Sequence, residues 1–292
     1  MRLARFLGWK EFVLAFFVMA FAASLPNFFV GITSALKGIH QLSFGDIAGN
    51  NLAALTLAVG LSALFVKGGI TADSKAVQTT SLFTLAAGIL PLLLIWDNSL
   101  SRVDGIILIL FFVFYCYWLF HKKERFSKVY DEHDNQKKKD VQGIVKDFGK
   151  VILGIVLLIV AAQGIVASAE YFAQVFNFPL ILVGVLITGL GSALPEIYFA
   201  ISVAKKGESW MILGDLMGAV IVPSSLILGI VALIHPIEIA DFSPFAIARL
   251  FLIISTLSFC LFIRTDKHIS RKEAFYLLSI YVIFFLVEIL VY

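Results

Sequence analysis

Long apolar runs separated by short polar turns organise the chain from end to end. Runs of about 20 residues cross about 30 Å of hydrocarbon as helix, and they recur near 11–36, 41–66, 78–96, 104–120, 150–168, 178–204, 209–234, 245–264 and 273–291. The pattern predicts an all-α polytopic membrane protein with about nine transmembrane helices. Two of these runs, with the runs that follow them, carry the same order of helix-breaking and polar residues 169 positions apart and without a gap. Leu25-Pro26-Asn27 matches Leu194-Pro195-Glu196, Lys37-Gly38 matches Lys206-Gly207, Gly45-Asp46 matches Gly214-Asp215, Gly49 matches Gly218 and Gly60 matches Gly229. Apolar sequence matches itself easily, so the Pro, Gly and Asp coincidences carry the weight. Helix breakers in corresponding hydrophobic segments point to the binding site of a transporter built from repeats.

Composition agrees: the mean hydropathy is +0.95 and only 15% of residues are charged, which excludes an ordinary soluble domain. The formal net charge of +3 gives no reason to expect nucleic acid as a partner; the lipid bilayer and inorganic cations are the expected partners, and the oligomeric state is unknown. Lys and Arg gather at the N-terminus, in the 121–150 loop and in the 264–272 turn. The positive-inside rule makes these cytoplasmic, and with nine spans they fall on one side. The turns around Asp97, Asn98 and Asp104 and from His235 to Pro244 are then external. Span 1 runs outward and span 6 inward, so the repeats are inverted, in a multi-pass protein of the cell (plasma) membrane.

Three segments follow: a first membrane half at 1–120, a cytoplasmic linker at 121–149 and a second membrane half at 150–292. The linker's Asp131-Glu132-His133-Asp134 is read as a solvated charge run rather than a metal site. Arg2, Arg5 and Lys10 before an apolar run ending in Ala22-Ala23-Ser24 imitate a secretory signal, but cleavage there would sever the first copy of the motif, so 11–36 is read as a retained helix. Cys116 and Cys260 lie inside spans and are read as free thiols. Trp9, Trp96, Trp118 and Trp210 sit near span ends, as interfacial anchors do.

Each proline lacks an N–H and clashes with the carbonyl one turn earlier, which frees backbone oxygens that a protein-lined cavity tolerates. Ser24, Asn27, Ser192 and Glu196 place side-chain oxygens in the same turns, hard ligands of the kind alkali and alkaline-earth cations prefer. Glu196 is the strongest candidate, because an ionisable group inside a span is costly and functional by default; it suits a cation or a proton. Glu196 and Asn27 are the metal-ligand candidates, with Ser24, Ser192 and Asn50 completing a cation-binding shell. Asp46 and Asp215 are accessory candidates, read equally as helix-capping residues. The fourfold spacing of Gly45 with Gly49, and of Gly214 with Gly218, suits close helix contact. Asn51 is a further polar residue in an apolar span, and His40 and His235 are weak ligand candidates. Gly189-Leu190-Gly191-Ser192-Ala193 loosely matches a hydrolase elbow but has no fitting His partner. With no other catalytic motif, the chain is read as a non-enzyme without a resident cofactor.

Ser24-Leu25-Pro26-Asn27 with Gly45-Asp46-Ile47-Ala48-Gly49-Asn50-Asn51, and Gly191-Ser192-Ala193-Leu194-Pro195-Glu196 with Gly214-Asp215-Leu216-Met217-Gly218-Ala219, resemble the α-repeats of the sodium/calcium exchanger (cation/Ca2+ antiporter) superfamily. The resemblance implies a secondary-active cation antiporter working by alternating access, with its ion site at the two repeat helices. Ca2+, Na+ or H+ are the cargo it implies, and the cation-site role passes to Ser24, Asn27, Asn50, Ser192 and Glu196. The chain departs from the family at that site: residue 27 is Asn rather than Glu, while Ala54, Ala219 and Pro223 lack side-chain oxygens. One carboxylate undercompensates Ca2+ in a low dielectric, so a monovalent ion or a proton suits the site better. Most relatives carry a helix before the first repeat, and its absence leaves nine spans instead of about ten. The competing readings are a degenerate member acting as a membrane scaffold or regulator, and a proton or monovalent-cation exchanger.

Overall fold

The computed structural model describes residues 11–121, 141–207, 209–239 and 243–291. The basic linker from 122 to 140 with Asp131 to Asp134, Trp9 and the Trp210 side chain lie outside the described residues. The helices are α1 (Glu11–Leu36), α2 (His40–Ala53), α3 (Val59–Phe65), α4 (Lys75–Leu94), α5 (Arg102–His121), α6 (Val141–Phe176), α7 (Leu180–Val183), α8 (Gly189–Ala204), α9 (Ser209–Ile221), α10 (Leu228–Ile234), α11 (Ser243–Thr265) and α12 (Arg271–Val291). Eight described segments are long and apolar enough to cross a membrane; α1 adds a shorter described apolar stretch, Ala20–Leu36. The one large boundary shift is α6, which runs from Val141 to Phe176 and so exceeds the expected 150–168 at both ends, starting inside the segment expected to be linker. Neither Gly nor Pro occurs between Ala169 and Phe176 to end the helix earlier.

The prolines do not break α1 and α8, which continue past Pro26 and Pro195. A long helix held by its neighbours tolerates the loss of one N–H with a kink. The interruptions come instead as three π-helical turns: π1 (Ala54–Ala58) between α2 and α3, π2 (Gly184–Thr188) between α7 and α8, and π3 (Val222–Ile227) between α9 and α10. The first and third are repeat equivalents. Wider π turns of this kind are frequent at functional sites.

The 169-residue correspondence reaches further than the proline and glycine motifs. Ser101 and Asp104 form a capping box at the start of α5: the Ser101 amide donates to Asp104 Oδ2 (2.8 Å) and the Asp104 amide to Ser101 Oγ (3.3 Å). Ser270 and Glu273 do the same at α12, at 2.7 and 3.3 Å. Each box satisfies two otherwise orphaned helix donors. Gly38 and Gly207 (φ 75° and 78°) and Asn98 and Lys267 (φ 66° and 52°) take the same left-handed turns in each copy.

Packing is crosswise between the copies. α2 lies on α7, π2 and α8 of the second repeat, and α9 lies on α1 of the first; α12 packs on π1 and α3, α5 on π3 and α10, and α4 on α11. Two short antiparallel ladders repeat the exchange. β1 (Ile70–Thr71) pairs with β4 (His268–Ile269) in the register Ile70 to Ile269, and β2 (Ser99–Leu100) pairs with β3 (Ile237–Glu238) in the register Ser99 to Glu238. The turns after spans 2 and 8 therefore share one end of the bundle and the turns after spans 3 and 7 share another, as the charge-based topology expects. Trp96, 72% exposed, lies at a span end with the Arg249 guanidinium 4.8 Å from its ring.

Candidate functional site

The site begins with glycines. A Cβ at Gly45 would meet the Ile181 carbonyl, one at Gly49 the Val185 carbonyl, and one at Gly189 the backbone of Gly49 and Asp46. Lacking these side chains, α2 approaches π2 and the start of α8 backbone to backbone, as small residues permit. The polar residues of the two repeats then meet in a buried cluster.

Asn27, Asp46, Asn50 and Glu196 are each at most 1% exposed. Asn27 Nδ2 donates to Asp46 Oδ2 (3.1 Å) and to Ser192 Oγ (3.2 Å). Ser192 Oγ lies 3.3 Å from Asp46 Oδ1, 3.4 Å from Asn50 Oδ1 and 3.0 Å from the Gly189 carbonyl. Asn50 Nδ2 donates to the Ala219 carbonyl at 3.4 Å. Residue 223, one turn beyond Ala219, is Pro and offers that carbonyl no N–H. The two positions that lack side-chain oxygens, 219 and 223, thus present a backbone oxygen that Asn50 uses.

Asn50 and Ala219 are equivalents in the two repeats. Residues related by a pseudo-two-fold axis touch only beside that axis, so the cluster lies on the line about which the halves are exchanged.

Several buried acceptors here have no hydrogen-bond donor: Asn27 Oδ1, Asn51 Oδ1, Asp215 Oδ2 and both oxygens of Glu196. Asn50 sits near Glu196 but outside hydrogen-bond geometry, and Asp46 and Asp215 are close enough to act on its charge. Unpaired oxygens crowded in a buried space call for positive charge. Among the described residues no three His, Cys, Asp or Glu side chains form a metal-binding group. The chemistry of the donor set is therefore a few carboxylates diluted by amide, hydroxyl and carbonyl oxygens, suited to a hard cation.

The sequence-derived candidates are distributed as follows. Asn27, Asn50 and Ser192 are joined by hydrogen bonds, and Glu196 lies beside them. Ser24 is buried but donates to the Ala20 carbonyl of its own helix (2.7 Å), outside that network. Asp46 and Asp215 do not cap: each is the seventh residue of its helix, and the α2 N-cap is Ile39, which makes no side-chain cap bond. Asp46 belongs to the network, and Asp215, 4% exposed, lies near Glu196. A further link escaped sequence reasoning: Asn51 Nδ2 donates to Ser224 Oγ at 2.6 Å. The polar pair Ser224-Ser225 inside an apolar span was its visible signal. His40 and His235 stack on each other with centroids 4.4 Å apart.

Comparison with known proteins follows the same lines. The family model described as sodium/calcium exchanger protein matches residues 2–121 and 146–290. The chain is 28% identical over 253 residues to the inner membrane protein YrbG of Escherichia coli K12, covering 85% of this chain and 76% of that protein. It is 23% identical to the sodium/calcium exchanger MaX1 of Methanosarcina acetivorans, covering 98% and 91%. A solved structure of the sodium-calcium exchanger NCX_Mj superposes with a TM-score of 0.67 at 23% identity, covering 97% of this chain and 89% of that one.

Proposed function

The chain belongs to the sodium/calcium exchanger protein family, and from that membership we propose that it is a secondary-active cation antiporter of the plasma membrane whose ion is bound by Glu196 with Asn27, Asn50 and Ser192. The observation that carries the reading is Glu196 itself: a carboxylate 1% exposed, inside a span, with no donor on either oxygen, in a cluster to which both repeats contribute. Such a group is held by a cation or a proton. Its place on the pseudo-two-fold axis supports alternating access, because rocking one inverted repeat against the other opens an axial site to each side in turn. A relative named for an inner membrane supports the cellular location, and relatives named as sodium/calcium exchangers support Na+ and Ca2+ as candidate cargo beside H+.

The test is flux in proteoliposomes. Wild-type protein carries Ca2+, Na+ or K+ against an imposed Na+ or H+ gradient, and Glu196→Gln reduces that flux to background. Undiminished flux in the variant would sink the site assignment. Wild-type vesicles silent under every gradient would favour the scaffold reading, for which Ala54, Ala219 and Pro223 are the argument.

A further inference from the structure

We propose that the stacked rings of His40 and His235 form a proton-operated latch between the two repeats at the outer end of the bundle, closed while at least one ring is neutral and released when both are charged. The inference goes beyond the cation site and uses none of its residues.

The rings come from different repeats and join the two spans that meet beside the axis. His40 is the first residue of α2, the helix that leads on to Asn50, and His235 is the C-cap of α10, at the end of the span that carries Ala219. Their centroids are 4.4 Å apart and their planes 17° from parallel. A second bond fastens the same place: Gln41 Nε2 donates to the Glu238 carbonyl of β3 at 2.7 Å. The turns after spans 1 and 7 thus meet at one end, external in the charge-based topology. At the inner end the repeat equivalents of His40 and His235 are Ser209 and Val66, so the symmetry supplies no matching ring pair there.

The surroundings suit the two rings to different charges. His235 is exposed, with Nδ1 2.9 Å from the Pro236 carbonyl, and as a C-cap it faces the negative end of the α10 dipole, which favours a cation. His40 is 8% exposed, and its Nδ1 is buried without a hydrogen-bond partner. A proton added there is a buried donor with no acceptor, at the positive end of α2. The first proton therefore goes to His235. The second has to enter His40 and sets like charges ring to ring, where they repel; opening the stack gives His40 to water and relieves both penalties. Opposing this, Glu238 is the acid that acts on His40, from an exposed position where solvent and salt screen it. Among the other described elements packed on the start of α2, Lys37 beyond α1 is paired with Glu170 of α6 at 3.5 Å, Arg249 of α11 lies over Trp96, and α7 carries no charged residue. Because the closed latch excludes the second proton, linkage fixes the sign: closure is favoured above the ordinary imidazole value of about 6.5 and weakens as the pH falls below it.

Hydrogen–deuterium exchange on the full chain in detergent tests this without any transport measurement. The reporters are the amides of residues 237–239, among which Ile239 donates to the Asn98 carbonyl at 2.9 Å. Between about pH 7.5 and about pH 5.5 they are expected to lose protection in wild-type protein at least about threefold beyond the intrinsic pH dependence of exchange. His40→Phe, which keeps an uncharged ring in the stack, is expected to hold their protection constant over the same range, as is His235→Phe. No loss in wild-type protein overturns the latch, and so does a loss in His40→Phe equal to that of wild type. Should His40→Phe fail to fold, the exposed His235→Phe decides: constant protection supports the latch, and a wild-type loss refutes it.

Discussion

Glu288 shows what an acid costs when no cluster surrounds it. It lies in α12, 0% exposed, with neither oxygen hydrogen-bonded. Removing a buried, unsatisfied polar group is neutral or stabilising. Glu288→Leu is expected to stabilise the protein by about 1–3 kcal/mol, seen as a raised melting temperature in detergent; a lowered one would reveal a binding role for this acid. At this scale the sequence exposes which residues are anomalous and hides what they touch. Glu196 stands out because it follows a helix-breaking proline in a motif that recurs 169 residues away, a setting that Glu288 in its own apolar span lacks. Asp46 follows a glycine near a span start, where a cap and a ligand look alike, and only the Asn27 contact separates them. Asn51 and Ser224 are 173 residues apart, and no local pattern joins them. Ser24 misleads for the opposite reason, since its hydroxyl is satisfied one turn away.

Among elements, the glycine spacing announces a close helix contact without naming the partner. The structure supplies π2 and α8, and with them a graded test. Gly49→Val places a side chain against the Val185 backbone, which overpacking data put at about 1–3 kcal/mol or more; a fall in both melting temperature and flux is expected. Gly164→Ala in α6, where nothing lies within 4 Å, should be neutral or slightly stabilising, by up to about 1 kcal/mol. Equal losses in the two variants would contradict the packing described. Span existence was legible because about 20 apolar residues admit few alternatives. The π turns were not, because a shift from i+4 to i+5 bonding is imposed by neighbouring helices and leaves no mark in composition. The paired capping boxes at Ser101 and Ser270 were legible in principle, since both read Ser-x-x-acid at the common 169-residue offset.

For the whole molecule, inversion of the repeats is the property from which the axial site follows, and it has a direct measurement. Asn98 and Lys267 are exposed equivalents in the two copies and should face opposite sides of the membrane. In a Cys116→Ala/Cys260→Ala background, a membrane-impermeant thiol reagent applied to intact cells is expected to label Asn98→Cys, and Lys267→Cys only after permeabilisation. Labelling of both from outside would refute the inverted arrangement. The crosswise ladders add a constraint on biogenesis. Each strand of the first half waits for a partner in the second: β2 for residues 237–238, β1 for residues 268–269. As synthesis runs from N- to C-terminus, the first half enters the bilayer with both clasps open. The β2–β3 clasp closes before the β1–β4 clasp, so a ribosome stalled between span 7 and span 9 leaves the bundle fastened at only one end.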